Sequence, residues 1–171
     1  MKVLALDASV TKTGWAVTHF AGSNGQPDGT GLLVPPKVGL IKPPSKLKKQ
    51  NEKLLHLFRS VDALITFERP EMIVIEECGP QRNAKVFRAL VRAEDRCQHA
   101  ADMHDIEVML VMVKAVREVT FGDGKTGKST AYAKMVERWP DFTWLPEEKG
   151  GDDMSDALAM ALAAPRLAAR R

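Results

Sequence analysis

The sequence predicts an α/β fold, one mixed five-stranded sheet with helices against both faces. Three observations point to it. Short apolar runs come first in succession, KVLALD, TGWAVTHF and KVGLIK, the pattern of a strand meander. After residue 45 the pattern changes, and the apolar runs MIVIEE and IEVMLVMV alternate with long segments of helical periodicity. The chain has 171 residues, enough for one real core, and no internal repeat or linker marks a second domain. Residues 1–171 are therefore read as a single domain.

Each element has a local reason. KVLALD is a short apolar run ending in Asp7, read as a buried strand. TGWAVTHF follows a tight polar connection and is expected to pair with it as a hairpin. AGSNGQPDGTG, over 21–31, is loop by composition, and KVGLIK is a third strand. From Ser45, the segment SKLKKQNEKLLHLFRSVDALITF has a serine start and apolar residues at Leu47, Leu54, Leu57, Phe58, Val61 and Leu64, which predicts an amphipathic helix. MIVIEE is a buried strand ending in acids, QRNAKVFRALVRAEDRCQHAADMH a long helix, and IEVMLVMV the fifth strand. KAVREVTF adds about two helical turns. STAYAKMVERW and DDMSDALAMALAAPRL supply the remaining helices.

Composition narrows the function. Hydrophobic residues at 44% and charged residues at 27% are ordinary for a globular chain. No apolar run is long enough to span a bilayer, and MKVLALDASV is too short and too soon charged for a secretory signal. Cys78 and Cys97 lack metal-ligand spacing, which favours a reduced, cytoplasmic setting over a disulfide framework. His19, His56, His99 and His104 are scattered and suggest no zinc site; His104 reads as a helix-end surface residue. The net charge of +3 permits a nucleic-acid partner without demanding one.

One stretch points elsewhere at first sight. GDGKTGKST, Gly122 to Thr130, matches the phosphate-loop pattern G-x-x-x-x-G-K-[ST]. Such a loop must leave a buried strand directly and cap a helix. Here KAVREVTF intervenes after the strand, and the 42 residues after Ser129 hold no apolar strand ending in Asp. The stretch is read instead as a basic finger, with Lys125 and Lys128 on a glycine-flexed hairpin suited to a phosphodiester backbone. No nucleotide cofactor is expected.

The acids carry the stronger signal. Asp7 ends one buried strand and Glu76 another; Glu76 shares a side of its strand with Val74, while Ile73, Ile75 and Glu77 face the other. Acids at the ends of buried strands are costly unless something positive lies between them. Asp153 and Asp156 are three apart and share a helix face, whereas Asp152 lies about 100° around and is expected to cap the helix. Near a helix N-terminus the aspartates also complement the dipole, which accounts for that pair without chemistry. It does not account for Asp7 and Glu76. Together the four are hard oxygen ligands suited to two magnesium ions, which can activate a water and stabilise the leaving oxygen of a phosphodiester.

At these residues the sequence resembles a known family. LALDASVTKTGWAV, IVIEECGPQRNA, AVREVTFGDGKTGKS and DDMSDALAMALA look like the successive motifs of RuvC-type Holliday junction resolvases, of the RNase H-like superfamily. The resemblance runs from residue 2 to about residue 165, interrupted by a longer region between Phe20 and Lys42, and the Thr13-Gly14 pair matches the family's first hairpin. It implies an RNase H-like fold and a metal-dependent endonuclease that resolves four-way junctions by paired cleavage with two magnesium ions, with manganese as a substitute. It places the metal-binding carboxylates on Asp7, Glu76, Asp153 and Asp156, and two functional basic positions on Arg117 and Lys128. Lys128 is thereby implied to face DNA beside the metals. A homodimer through the long helix is implied as well. Two departures stand out: Ala8-Ser9 replaces a proline–glycine turn, and Gly79-Pro80 stands where an aromatic wedge is expected.

On the long helix, Arg82, Lys85, Arg88, Arg92 and Arg96 fall on an arc of roughly 120°. That stripe is either a solvated basic face or a path carrying phosphates toward the acids. Lys42, Lys46, Lys48 and Lys49 are open to the same two readings. Competing functions are a non-catalytic branched-DNA-binding protein on the same fold and an RNase H-like nuclease with broader branched-DNA substrates. DASVTKTG is a distant match to the first phosphate loop of actin-like ATPases, but those enzymes need two such domains.

Overall fold

The computed structural model describes residues 1–21 and 31–171. β1 (Lys2–Asp7), β2 (Thr13–His19) and β3 (Lys37–Ile41) form an antiparallel meander. α1 (Gln50–Glu68) leads to β4 (Met72–Glu76), α2 (Ala84–Asp102) to β5 (Val108–Val111), and α3 (Val113–Phe121), α4 (Lys128–Arg138) and α5 (Gly151–Ala168) follow. β4 lies parallel to β1 and β5 parallel to β4, giving the strand order β3-β2-β1-β4-β5. The expected mixed five-stranded sheet is present. The loop expected over 21–31 lies, but for its ends, outside the described residues.

Side-chain alternation divides the core into two layers. Val3, Ala5, Ala16, Val74 and Met109 face α5, while Leu4, Leu6, Val17, Ile73 and Ile75 face α1 and α2. α5 is buried from Gly151 through Pro165 apart from Asp152, which is half-buried. Its run of alanines permits that, because a helix hydrophobic all round belongs inside. Pro165 has no N–H to give the Ala161 carbonyl one turn back. The Thr18 hydroxyl donates to that carbonyl instead, at 3.4 Å.

Two helix starts differ from expectation. α1 begins at Gln50, five residues after the expected Ser45. After Pro43-Pro44, a turn in which the Leu47 amide donates to the Pro44 carbonyl takes up the interval, and the Lys49 amide donates to Glu52 Oε2 at 3.2 Å. α5 is capped not by Asp152 but by Gly150, which adopts φ 110° after a 3-10 turn over Glu147–Lys149. Few residues but glycine tolerate that backbone.

A close approach that bears on the site is at Gly14. A Cβ there would lie 2.0 Å from the Asp153 carbonyl oxygen and 2.3 Å from its carbon, so β2 and α5 touch backbone to backbone. Gly14→Ala is expected to cost at least ~2 kcal/mol in urea unfolding, the upper part of the range for overpacking. Gly79→Ala, where a Cβ meets nothing within 4 Å, is expected to shift stability by less than about 0.5 kcal/mol. Equal stabilities for the two variants would contradict the packing described.

Candidate active site

Asp7 and Glu76 meet because β1 and β4 run parallel in register, with Leu6 opposite Ile75 one residue earlier. Both acids extend the sheet face of Ala5 and Val74, the face that α5 covers. Gly14 is the register partner of Asp7 on β2. The same glycine admits the start of α5, so Asp153 and Asp156 arrive opposite the two strand ends. The four acids singled out in the sequence come together.

Their proximity shows in their acidities. Burial, then the neighbouring Glu76, pushes Asp7 well above the usual carboxylate range, and Asp156 and Asp153 add to it while Lys128 opposes. Glu76 is raised by burial and by Asp156, against a hydrogen bond from Asp7 and the charges of Lys128 and Arg117. Asp156 is raised by burial, which outweighs Lys128 and Arg117. Burial alone would lower the Lys128 ammonium, but Asp7, Asp156 and Asp153 hold it above its ordinary value. Lys128 Nζ lies 3.1 Å from Asp152 Oδ2, 3.1 Å from Asp153 Oδ1 and 3.6 Å from Asp156 Oδ2. Arg117 donates to the Thr126 carbonyl at 2.8 Å and lies 3.5 Å from Asp156 Oδ1.

The donor chemistry fits a hard divalent ion, because the four carboxylates offer hard oxygen donors. Asp152 Oδ1 and Asp153 Oδ2 are buried without hydrogen bonds, which leaves unsatisfied acceptors where a cation would be held. Asp153 Oδ2 does lie 3.0 Å from Lys12 Nζ, but outside hydrogen-bonding direction. Among the described residues no three acids or histidines are arranged as a finished ion shell. The Lys128 ammonium lies among them instead. A cleft of about 220 Å³ opens beside Asp7, Glu76, Lys128 and Asp156, with Gly79 on its rim.

The basic finger takes a different form. Gly122, at φ 79°, ends α3, and Gly127 caps α4, so residues 122–127 join two helices. A phosphate loop requires a strand on its N-terminal side, which is absent here. Lys125 is exposed on this turn, its amide donating to Asp123 Oδ1 at 2.8 Å, whereas Lys128 is the first residue of α4 and turns toward the acids. Arg82, Lys85 and Arg88 are exposed at the start of α2, where Asn83 accepts from the Lys85 and Val86 amides.

Sequence reasoning missed Lys12 and Glu94. The Lys12 amide donates to the Ser9 hydroxyl at 3.0 Å, and the Thr13 hydroxyl to the Ser9 carbonyl at 2.8 Å, a turn that delivers Lys12 to Asp153. The serine–threonine pair around Lys12 was the available signal. Glu94 Oε2 accepts from the Cys78 amide at 2.8 Å and ties the strand exit to α2. No spacing rule foretells that contact.

Asp7 holds its proton more readily when folded than when unfolded. Stability therefore falls as pH rises from the ordinary value of 3.8 through the raised one. In EDTA, the wild-type unfolding temperature is expected to drop as the pH is raised above the ordinary value of 3.8, and Asp7→Asn to flatten that slope. Parallel profiles for the two proteins would contradict the assignment.

A family model described as crossover junction endodeoxyribonuclease RuvC matches residues 3–164. The RuvC crossover junction endodeoxyribonuclease of Maricaulis maris is 27% identical over 162 residues, covering 95% of this chain and 89% of that protein. Its counterpart from Salinispora arenicola is 28% identical, covering 95% and 86%. Among solved structures, T. thermophilus RuvC in complex with a Holliday junction substrate superposes with a TM-score of 0.76 at 20% identity, covering 98% of this chain and 94% of that one. The yeast mitochondrial Holliday junction resolvase gives 0.58 at 12% identity, covering 98% and 79%. The sheet order and flanking helices are those of the RNase H-like fold. On the match over residues 3–164, the chain belongs to the RuvC family of crossover junction endodeoxyribonucleases.

Proposed function

We propose that this protein is a metal-dependent, structure-selective DNA endonuclease that resolves four-way junctions by paired phosphodiester cleavage. The observation that carries the reading is the convergence of Asp7, Glu76, Asp153 and Asp156 around a single ammonium at one end of the sheet. The relatives' name and the junction bound by the T. thermophilus neighbour support the substrate class.

The four carboxylates would hold two magnesium ions, or manganese in their place, which supply an activated water and charge stabilisation at the leaving oxygen. The chain's own residues do the rest. Lys128 keeps a positive charge beside the cleft and can hydrogen-bond a phosphate oxygen. Arg117, fixed by the Thr126 carbonyl, offsets the charge of Asp156. Arg82, Lys85, Arg88 and Lys125 extend the positive surface for backbone phosphates, which position the duplex without reading its sequence. One site cuts one strand, so paired cleavage needs two copies. Phe87 and Val91, exposed one turn apart on α2, supply an apolar contact for a homodimer.

Gly79 bears on sequence preference. An apolar wedge inserted between bases offsets unstacking of a few kcal/mol per step, and that cost varies with the step. Glycine has no side chain to insert, so branch shape is expected to govern cutting more than sequence does.

Asp7→Asn is expected to keep junction binding in a gel-shift assay and to lose cleavage by at least about 1,000-fold, because it removes a ligand charge and leaves the basic surface intact. Calcium is expected to support binding without cutting. Cleavage by Asp7→Asn within about tenfold of wild type would overturn the site. A Cβ added at Gly79 meets nothing within 4 Å, and Gly79→Phe is expected to sharpen the cut pattern across a mobile junction. One dominant cut site already present in the wild type would contradict the wedge argument.

A further inference from the structure

A second surface lies on the opposite layer, along the seam between α1 and α2. A groove of about 300 Å³ is floored by Leu54, Leu55 and Phe58 and edged by Asn51, Arg96 and His99. The His99 ring stacks on Phe58 with centroids 5.5 Å apart. Leu55 is 48% exposed there. Toward the start of both helices the groove continues into a hollow between Gln50, Lys85, Arg88 and Arg92. Gln50 adjoins Asn51 and Arg92 is one turn from Arg96, so the two hollows run end to end. No acid lines either one. At its other end the seam is closed by His104, 2.8 Å from Asp62 Oδ1.

We propose that this seam binds an acidic, apolar-tipped peptide segment of a partner protein. The apolar side chains would enter the Leu54–Leu55–Phe58 floor, and the carboxylates would meet Arg96 and Arg92. Charge complementarity selects this occupant. Among the described residues Arg92 and Arg96 have no acidic partner of their own, and they flank a floor that is almost wholly apolar. A phosphodiester backbone would satisfy the arginines and leave that floor wet. A neutral apolar segment would leave the arginines unpaired. An extended segment of mixed character satisfies both, with charge fixing its direction and the apolar anchor its affinity. The apolar floor of the seam packs on the sheet face opposite the one that α5 covers.

The test uses the full chain and a fluorescein-labelled synthetic peptide, a run of acidic residues ending in leucine and phenylalanine, read by anisotropy. Saturable binding with a Kd of about 1–100 μM is expected, weakening as salt rises. Arg96→Glu and Leu55→Asp are each expected to weaken it at least about tenfold, with Leu55→Asp leaving junction cleavage unchanged. A peptide with serine replacing leucine and phenylalanine, and one with the acids replaced by serine, are expected to bind at least about tenfold more weakly. Absence of saturation up to about 1 mM, or equal binding of either control peptide, would overturn the proposal. So would full retention of binding in both variants. Displacement of the peptide by a short single-stranded oligonucleotide that binds wild type but not Leu55→Asp would assign the seam to nucleic acid instead. A change of oligomeric mass in Leu55→Asp would assign it to a second copy of this chain.

Discussion

The backbone contact between β2 and α5 at Gly14 sets the geometry on which the rest depends. A Cβ at that position would overlap the Asp153 peptide. Without one, α5 lies against the sheet itself, and its alanines and leucines from Ala157 to Ala164 are buried around the whole helix. The contact falls opposite Asp7 in the β1–β2 ladder. Core packing and the assembly of the acids are thus one constraint seen from two sides. Gly151 extends it, since a Cβ there would meet the Leu145 carbonyl at 2.0 Å and the start of α5 is held on both flanks.

The consequence is a site that works against stability. Glu68, a buried acid at the other end of the sheet, is flanked by Lys2 and Lys37 at 2.8 Å each, and they hold it below its usual range although burial alone would raise it. Asp7 and Glu76 are raised, by burial first and then by neighbouring carboxylates, because among the described residues no cation pairs with them as closely as Lys2 and Lys37 pair with Glu68. A fold selected only for stability would pair them as it pairs Glu68. Like charges massed in a buried cleft are expected where added cations and a phosphate complete the balance. Lys128, Arg117 and Lys12 neutralise the cluster in part and leave buried carboxylate oxygens unsatisfied.

Much of this was legible in the sequence. Apolar runs ending in Asp7 and Glu76 identified two strand ends, and alternation along MIVIE assigned Glu76 to the side of Val74, which is the α5 side. The i, i+3 spacing put Asp153 and Asp156 on one helix face, and the intervening KAVREVTF segment separated GDGKTGKST from the strand before it. What was not legible depends on contacts between distant segments or on turn geometry. The position of Leu47 suggested an earlier start for α1, but a turn after Pro43-Pro44 includes it. Asp152 looked like a cap because cap preference is local, whereas Gly150 takes that place through a left-handed backbone set by the preceding turn. Lys12 reaches Asp153 only through the Ser9–Thr13 turn, and Lys128 turns inward because α4 begins at it.

The role proposed for the acid cluster is to cut branched DNA. The most direct measurement incubates the wild-type protein with magnesium and a labelled four-way junction beside a linear duplex of the same sequence, and resolves the products on a denaturing gel. Magnesium-dependent nicks in opposed strands of the junction and an intact duplex are expected. Bound but uncut junction at every magnesium concentration, or equal cutting of the duplex, would contradict that role.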